Sequence, residues 1–116
     1  MDDSLRRDIA FIAGVLISGV KASSIYDYRN GNYVNISGEV HLERISVYDY
    51  FRRCFIAGSV GSLYDYGNGK HISLKLSGTS FNGYDYGSGF HFSGSVAGNS
   101  ISFYDYETSQ YYNFSL

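Results

Sequence analysis

The tripeptide Tyr-Asp-Tyr occurs five times in this chain, and its regular spacing constrains the fold more than any other feature. The copies begin sixteen to twenty-two residues apart, at Tyr26, Tyr48, Tyr64, Tyr84 and Tyr104. Three copies are followed by short turn-like segments that end in Gly31, Gly69 and Gly89. The other two are followed by Phe51-Arg52-Arg53 and Glu107-Thr108-Ser109. Regularly spaced turn signals of this kind predict a series of β-hairpins.

The segments after the turns alternate between apolar and polar residues. In the third copy, Ile72, Leu74 and Leu76 alternate with His71, Ser73 and Lys75. A period of two with one apolar face predicts a half-buried strand. The 13 Tyr, 14 Gly and absence of Pro agree with strands joined by tight turns.

These patterns predict an all-β fold, an antiparallel β-meander of ten to eleven short strands. We favour closure into an up-and-down barrel, because an open sheet would leave two edges and an apolar face uncovered. A two-layer sheet and a solenoid-like stack remain alternatives. The chain is expected to form a single domain, with an N-terminal segment over residues 1–22 and the five hairpins over 23–116.

The N-terminal segment is ambiguous. Leu5, Ile9, Ile12 and Leu16 have helical spacing, and Gly19 could cap a helix. Two interior glycines and several β-branched residues weaken that helix. We expect a short helical turn over residues 3–8 and an extra strand over 11–20, with both faces of that strand covered.

Turn geometry predicts which side chains face inward. A three-residue turn ending in a left-handed Gly31 would pair Tyr28 with Asn32 and Asp27 with Tyr33. The aspartates would then face solvent, and burying them unpaired would cost several kcal/mol each. The candidate ligand-lining residues are therefore the first tyrosines of the five copies, which this register turns inward: Tyr26, Tyr48, Tyr64, Tyr84 and Tyr104.

The same register places several charged and polar residues outside. The candidate partner surface consists of Asp65, His71, Asp85, His91, Arg52 and Arg53. Ser73 and Ser93 would join the His and Asp side chains there, but an exposed sheet without an evident pocket does not favour hydrolysis. The aspartates are too dispersed for a metal cage. We expect each instead to accept a hydrogen bond from the backbone N–H two residues ahead.

Charge and cysteine content restrict the partners and the compartment. The net charge is −2, and the cations do not cluster, so we expect neither nucleic-acid nor membrane binding. The single Cys54 allows no internal disulfide. We found no signal peptide and no transmembrane span, so a cytoplasmic location is the default expectation, with secretion as the alternative. Self-association through edge strands or through the N-terminal segment is a further expectation.

Two segments carry a local resemblance to a known family. Tyr26-Asp27-Tyr28-Arg29-Asn30-Gly31 and Tyr64-Asp65-Tyr66-Gly67-Asn68-Gly69 resemble the YD repeats of Rhs-type shell proteins. Those repeats usually place Asp after the second Tyr and continue for many copies, and both features are missing here. The resemblance covers about six residues per copy, and no family is recognised across the whole chain.

We therefore predict a non-enzymatic binding or structural module. Its outer face would contact a protein or a carbohydrate, since tyrosine gives a large contact area at low entropic cost. The alternative is a carrier that binds an apolar or aromatic molecule inside a Tyr-lined barrel. Neither reading requires a cofactor.

Overall fold

The protein is a closed ten-stranded antiparallel β-barrel with one helix, described here by a computed structural model of residues 1–116. The helix, α1, spans Asp3–Ser18. The strands are β1 Ser24–Asp27, β2 Asn32–Val40, β3 Ile45–Asp49, β4 Cys54–Ser59, β5 Ser62–Asp65, β6 Lys70–Ser77, β7 Ser80–Asp85, β8 Phe90–Ala97, β9 Ser100–Asp105 and β10 Gln110–Ser115. Each strand pairs with the next, and β1 pairs with β10, which confirms the predicted barrel.

Helix α1 lies inside the barrel, and the prediction of an extra strand over residues 11–20 is wrong. All residues from Leu5 to Gly14 are buried, and such a run covers every side of a helix. The helix ends at Gly19, whose left-handed backbone (φ 73°) directs its N–H to the carbonyl oxygen of Val15 at 2.9 Å. Most of this buried stretch is apolar, while Arg6, Arg7 and Asp8 are its charged residues, and the barrel wall covers the stretch on all sides. This 16-residue helix is not long and apolar enough to cross a membrane.

The predicted hairpin register is wrong by one residue. Asp27 pairs with Asn32 and Tyr26 with Tyr33, so the loop between β1 and β2 has four residues. Gly31 closes it in the left-handed conformation (φ 69°) and donates its N–H to the carbonyl oxygen of Asp27 at 2.7 Å. Because a slip of one residue turns every side chain to the other face of a strand, the aspartates point into the barrel and the tyrosines point out.

The closed barrel bears on the prediction that two copies of the chain associate through edge strands or through the N-terminal segment. With β1 paired to β10, the barrel has no edge strand to offer a second copy. Residues 5–14 of the N-terminal segment are covered by the barrel wall, whereas residues 15–22 are half-buried or exposed. Self-association through edge strands therefore has no free strand to use, and self-association through the N-terminal segment stays a prediction.

Candidate functional site: the outer aromatic girdle

Five buried aspartates form a ring inside one end of the barrel, which we call the carboxylate ring. Its members are the central residues of the Tyr-Asp-Tyr tripeptides: Asp27, Asp49, Asp65, Asp85 and Asp105. In each case Oδ1 accepts a hydrogen bond from the backbone N–H two residues ahead, as Asp65 does from Gly67 at 2.9 Å. The predicted support of each turn by its aspartate is confirmed, although the aspartates do not face solvent.

Buried arginines pair with three of the five ring aspartates. In α1, Arg6 donates a hydrogen bond to Asp105 at 3.0 Å, and Arg7 donates one to Asp27 at 3.4 Å. Arg52, from the turn between β3 and β4, donates to Asp65 Oδ2 at 2.7 Å. A buried carboxylate is tolerated when it is paired and hydrogen-bonded, so the penalty that argued against this register is offset at these three aspartates.

The helix also contributes Asp8, a carboxyl group that faces the ring. Asp8 Oδ1 and Asp49 Oδ2 are both buried, and neither oxygen has a hydrogen-bond donor among the surrounding N–H and hydroxyl groups. Burial, a hydrogen bond with Asp49 and the charge of Asp49 together raise the pKa of Asp8 to about 9, although Arg52 opposes the shift. At neutral pH Asp8 therefore holds a proton. A hydrogen bond through this proton gives both Asp8 Oδ1 and Asp49 Oδ2 a partner.

Arg52 stays charged in this environment. Burial would lower its pKa, but hydrogen bonds and charge interactions with Asp65 and Asp8 raise the pKa above its ordinary value. Arg52 is therefore a structural cation between α1 and the wall. The prediction that Arg52, Asp65 and Asp85 belong to a partner surface is wrong, because neither the two aspartates nor most of the Arg52 side chain reaches the outside.

On the outer side of the wall, opposite the carboxylate ring, lies a band of aromatic side chains that we call the aromatic girdle. It consists of five triplets: Tyr26, Tyr28 and Tyr33; Tyr48, Tyr50 and Phe55; Tyr64, Tyr66 and His71; Tyr84, Tyr86 and His91; Tyr104, Tyr106 and Tyr111. In each triplet the first tyrosine packs edge-to-face against the other two rings, with centroids 4.7 to 5.0 Å apart. This spacing is favourable for aromatic pairs and holds the outer rings in place.

The girdle corrects the prediction for the candidate ligand-lining tyrosines. Each of these five residues is half-buried beneath its two aromatic neighbours on the outside of the barrel: Tyr26, Tyr48, Tyr64, Tyr84 and Tyr104. None of them lines the interior, which α1 and apolar side chains fill. The second tyrosines have accessible rings in all five triplets and are 51% to 63% exposed: Tyr28, Tyr50, Tyr66, Tyr86 and Tyr106. Each second tyrosine lies two residues after the first and therefore on the same face of the barrel wall. A correct register would have identified the second tyrosines as exposed.

Two shallow grooves run along the girdle next to its histidines. The His71 groove, of about 410 Å³, is lined by Gly61, Ser62, Gly69, Lys70, His71, Ile72, Ser73 and Tyr86. The His91 groove, of about 470 Å³, is lined by Asn82, Gly89, Phe90, His91, Phe92, Ser93 and Tyr106. His71, His91 and Arg53 are exposed, so these three predicted surface residues do lie on the outside.

The side chains that suggested hydrolytic chemistry are separated by the barrel wall. His71 and Ser73 lie outside, whereas Asp65 lies inside and pairs with Arg52. The Ser73 hydroxyl oxygen instead accepts the backbone N–H of Tyr84 at 3.1 Å. Burial raises the pKa of the Cys54 thiol, which disfavours the thiolate. No group of three or more His, Cys, Asp and Glu side chains is arranged to hold a metal ion.

Comparison of this chain with protein-family models, with curated proteins and with solved structures found no match.

Proposed function

We propose that this chain is a non-enzymatic binding or structural module that contacts a protein or a carbohydrate through its aromatic girdle. The observation that carries the proposal is the row of second tyrosines, each more than half exposed and each held by an edge-to-face contact with the tyrosine two residues before it. Exposed aromatic surface of this extent is typical of interaction sites. Rings that are already fixed lose little conformational entropy when a partner binds.

The rest of the outer face is less suited to binding than the aromatic girdle. Away from the girdle, the outward positions are mostly small and polar, as at Ser77, Ser80, Ser95 and Ser100. Such residues give little contact area, whereas tyrosine and histidine combine an apolar ring with a hydrogen-bonding group. The alternative of a ligand carried inside the barrel has no supporting observation, because α1 occupies the interior.

The test compares two variants on arrays of purified proteins and of glycans. The girdle variant carries Tyr66→Ser, Tyr86→Ser and Tyr106→Ser, all at exposed rings. The control variant carries Ser77→Asn and Ser80→Asn, at exposed positions outside the girdle. Circular dichroism and thermal unfolding first verify that both are folded.

We expect saturable binding by the natural protein and the control variant, and its loss in the girdle variant. The bound molecule should be recovered chemically unchanged. The proposal is contradicted if no protein or glycan binds, if the girdle variant binds as tightly as the natural protein, or if the bound molecule is converted to a product.

A further inference from the structure

The His71 groove and the His91 groove are two copies of one site. Every residue that lines the His91 groove occupies a position twenty residues after one that lines the His71 groove. Both grooves contain a glycine, a histidine, a serine and the second tyrosine of the next tripeptide. In addition, Ser62 of one groove corresponds to Asn82 of the other. A duplicated site indicates a ligand whose chemical groups bind this surface at two places.

The backbone holds each tyrosine next to its histidine. Tyr86 donates its N–H to the carbonyl oxygen of His71 at 3.1 Å, and Tyr106 donates to that of His91 at 3.2 Å. Each imidazole also packs edge-to-face against the tyrosine of its own hairpin, Tyr64 or Tyr84, at a centroid distance of 4.8 Å. The polar and aromatic groups of both grooves are thus positioned before any ligand arrives.

The chemistry of the grooves fits a neutral, hydroxyl-rich ligand. Imidazole, phenol, hydroxyl and amide groups both donate and accept hydrogen bonds, as sugar hydroxyls do. No carboxylate lines either groove, and the single charged side chain is Lys70, in the His71 groove. The apolar face of a sugar ring can pack against the exposed ring of Tyr86 or Tyr106, and pockets of this volume are in the range used for small ligands.

The fold and charge argue against a peptide that adds a strand to the sheet and against a nucleic acid. A peptide cannot extend the sheet, because every strand of the closed barrel is already paired on both sides. A nucleic acid would need a cationic track, and the chain has a net charge of −2. A carbohydrate requires neither a free strand edge nor clustered cations.

We propose, resting on the proposed function of the girdle, that the two grooves bind a neutral oligosaccharide. Adjacent strands lie about 4.7–4.8 Å apart, so grooves two strands apart are separated by roughly 9.5 Å. An oligosaccharide with repeating units can therefore occupy both grooves at once. Binding at the first groove then raises the effective concentration of sugar at the second.

The experiment titrates the natural protein with cello-, malto-, xylo- and chito-oligosaccharides of one to six units, using calorimetry and the NMR signals of His71 and His91. We expect at least one series to bind saturably, to shift both histidines and to bind more tightly as its length increases. Tyr86→Ser or Tyr106→Ser should weaken the binding of the longest fragment about tenfold. Phe51→Ser, at an exposed aromatic ring outside the girdle and both grooves, should leave the binding unchanged.

The inference is overturned if no neutral series binds, or if Phe51→Ser weakens binding as much as Tyr86→Ser and Tyr106→Ser do. If these sugars fail but the girdle variant loses binding to a purified protein, only the carbohydrate assignment fails, and the proposed function stands. If the girdle variant loses no binding at all, both fail.

Discussion

Arg52 Nη1 donates a 2.9 Å hydrogen bond to Asp8 Oδ2 and thereby ties the turn between β3 and β4 to the helix inside the barrel. Through Nη2 the same guanidinium donates to both carboxylate oxygens of Asp65. One side chain therefore connects three parts of the molecule: the helix, a turn and the carboxylate ring.

The first prediction concerns the removal of this cation. Arg52→Met leaves Asp65 buried without its charged partner, and breaking a buried ion pair on one side costs about 3–5 kcal/mol. We expect a loss of that size in the free energy of unfolding measured in urea, with part of it recovered when Asp65→Asn is added. Arg53→Lys, a change at the exposed neighbour, is the control. A variant Arg52→Met as stable as this control would contradict the account.

The second prediction concerns the pH dependence of stability. Since the pKa of Asp8 is raised to about 9 in the folded state, the folded protein holds a proton that the unfolded chain loses near the ordinary value of 3.8. This contribution is complete below the ordinary pKa and is lost as the pH rises through the folded pKa. We therefore expect the free energy of unfolding to fall by up to about 1.4 kcal/mol per pH unit across that window.

Asp8→Asn is the matched variant for this measurement. Its amide N–H can donate to Asp49, and its amide oxygen can accept from Arg52, so it reproduces the protonated acid without titrating. Urea unfolding over a series of pH values should show a flatter dependence for Asp8→Asn than for the natural protein. Parallel curves would indicate that Asp8 holds no extra proton.

The third prediction uses the two turns that lack glycine. Gly31, Gly69 and Gly89 close their turns with φ between 67° and 78°, and Arg53 and Ser109 adopt the same conformation with φ of 59° and 56°. A side chain in this region costs about 1 kcal/mol or more.

We expect Arg53→Gly and Ser109→Gly each to raise the free energy of unfolding by about 1 kcal/mol and Gly69→Ala to lower it, because only the backbone preference changes. Thermal unfolding of the three variants checks this. A lower melting temperature for both glycine variants would be inconsistent with the described turns.

The strands and their closure could be predicted from sequence because they depend on local signals. The alternation after each turn, as at Ile72 and Leu74, identifies a strand whatever its neighbours are. The helix was predicted only as a short turn over residues 3–8, because the glycine and β-branched residues that follow argue against a helix in water. Inside a barrel that penalty is small beside the burial of Ile9, Phe11 and Ile12.

The register could not be predicted because it depends on partners that are distant in the sequence. The outward placement of the aspartates assumed that buried carboxylates would be unpaired. Arg6 and Arg7, which pair with Asp105 and Asp27, belong to the segment whose position was not known. Because of this one-residue error in the register, the candidate tyrosines were placed inside the barrel, whereas they lie on its outside.

Covalent labelling of carboxyl groups in the native protein tests the inward placement of the aspartates most directly. After carbodiimide-mediated coupling of glycine ethyl ester, peptide mass spectrometry measures the modified fraction of each carboxyl group. We expect exposed Asp2, Glu39 and Glu43 to be modified in the native state, and the carboxylate ring to be modified only in urea. Labelling of the five ring aspartates in the native protein as rapidly as Glu43 would contradict the register, and with it the placement of the aromatic girdle.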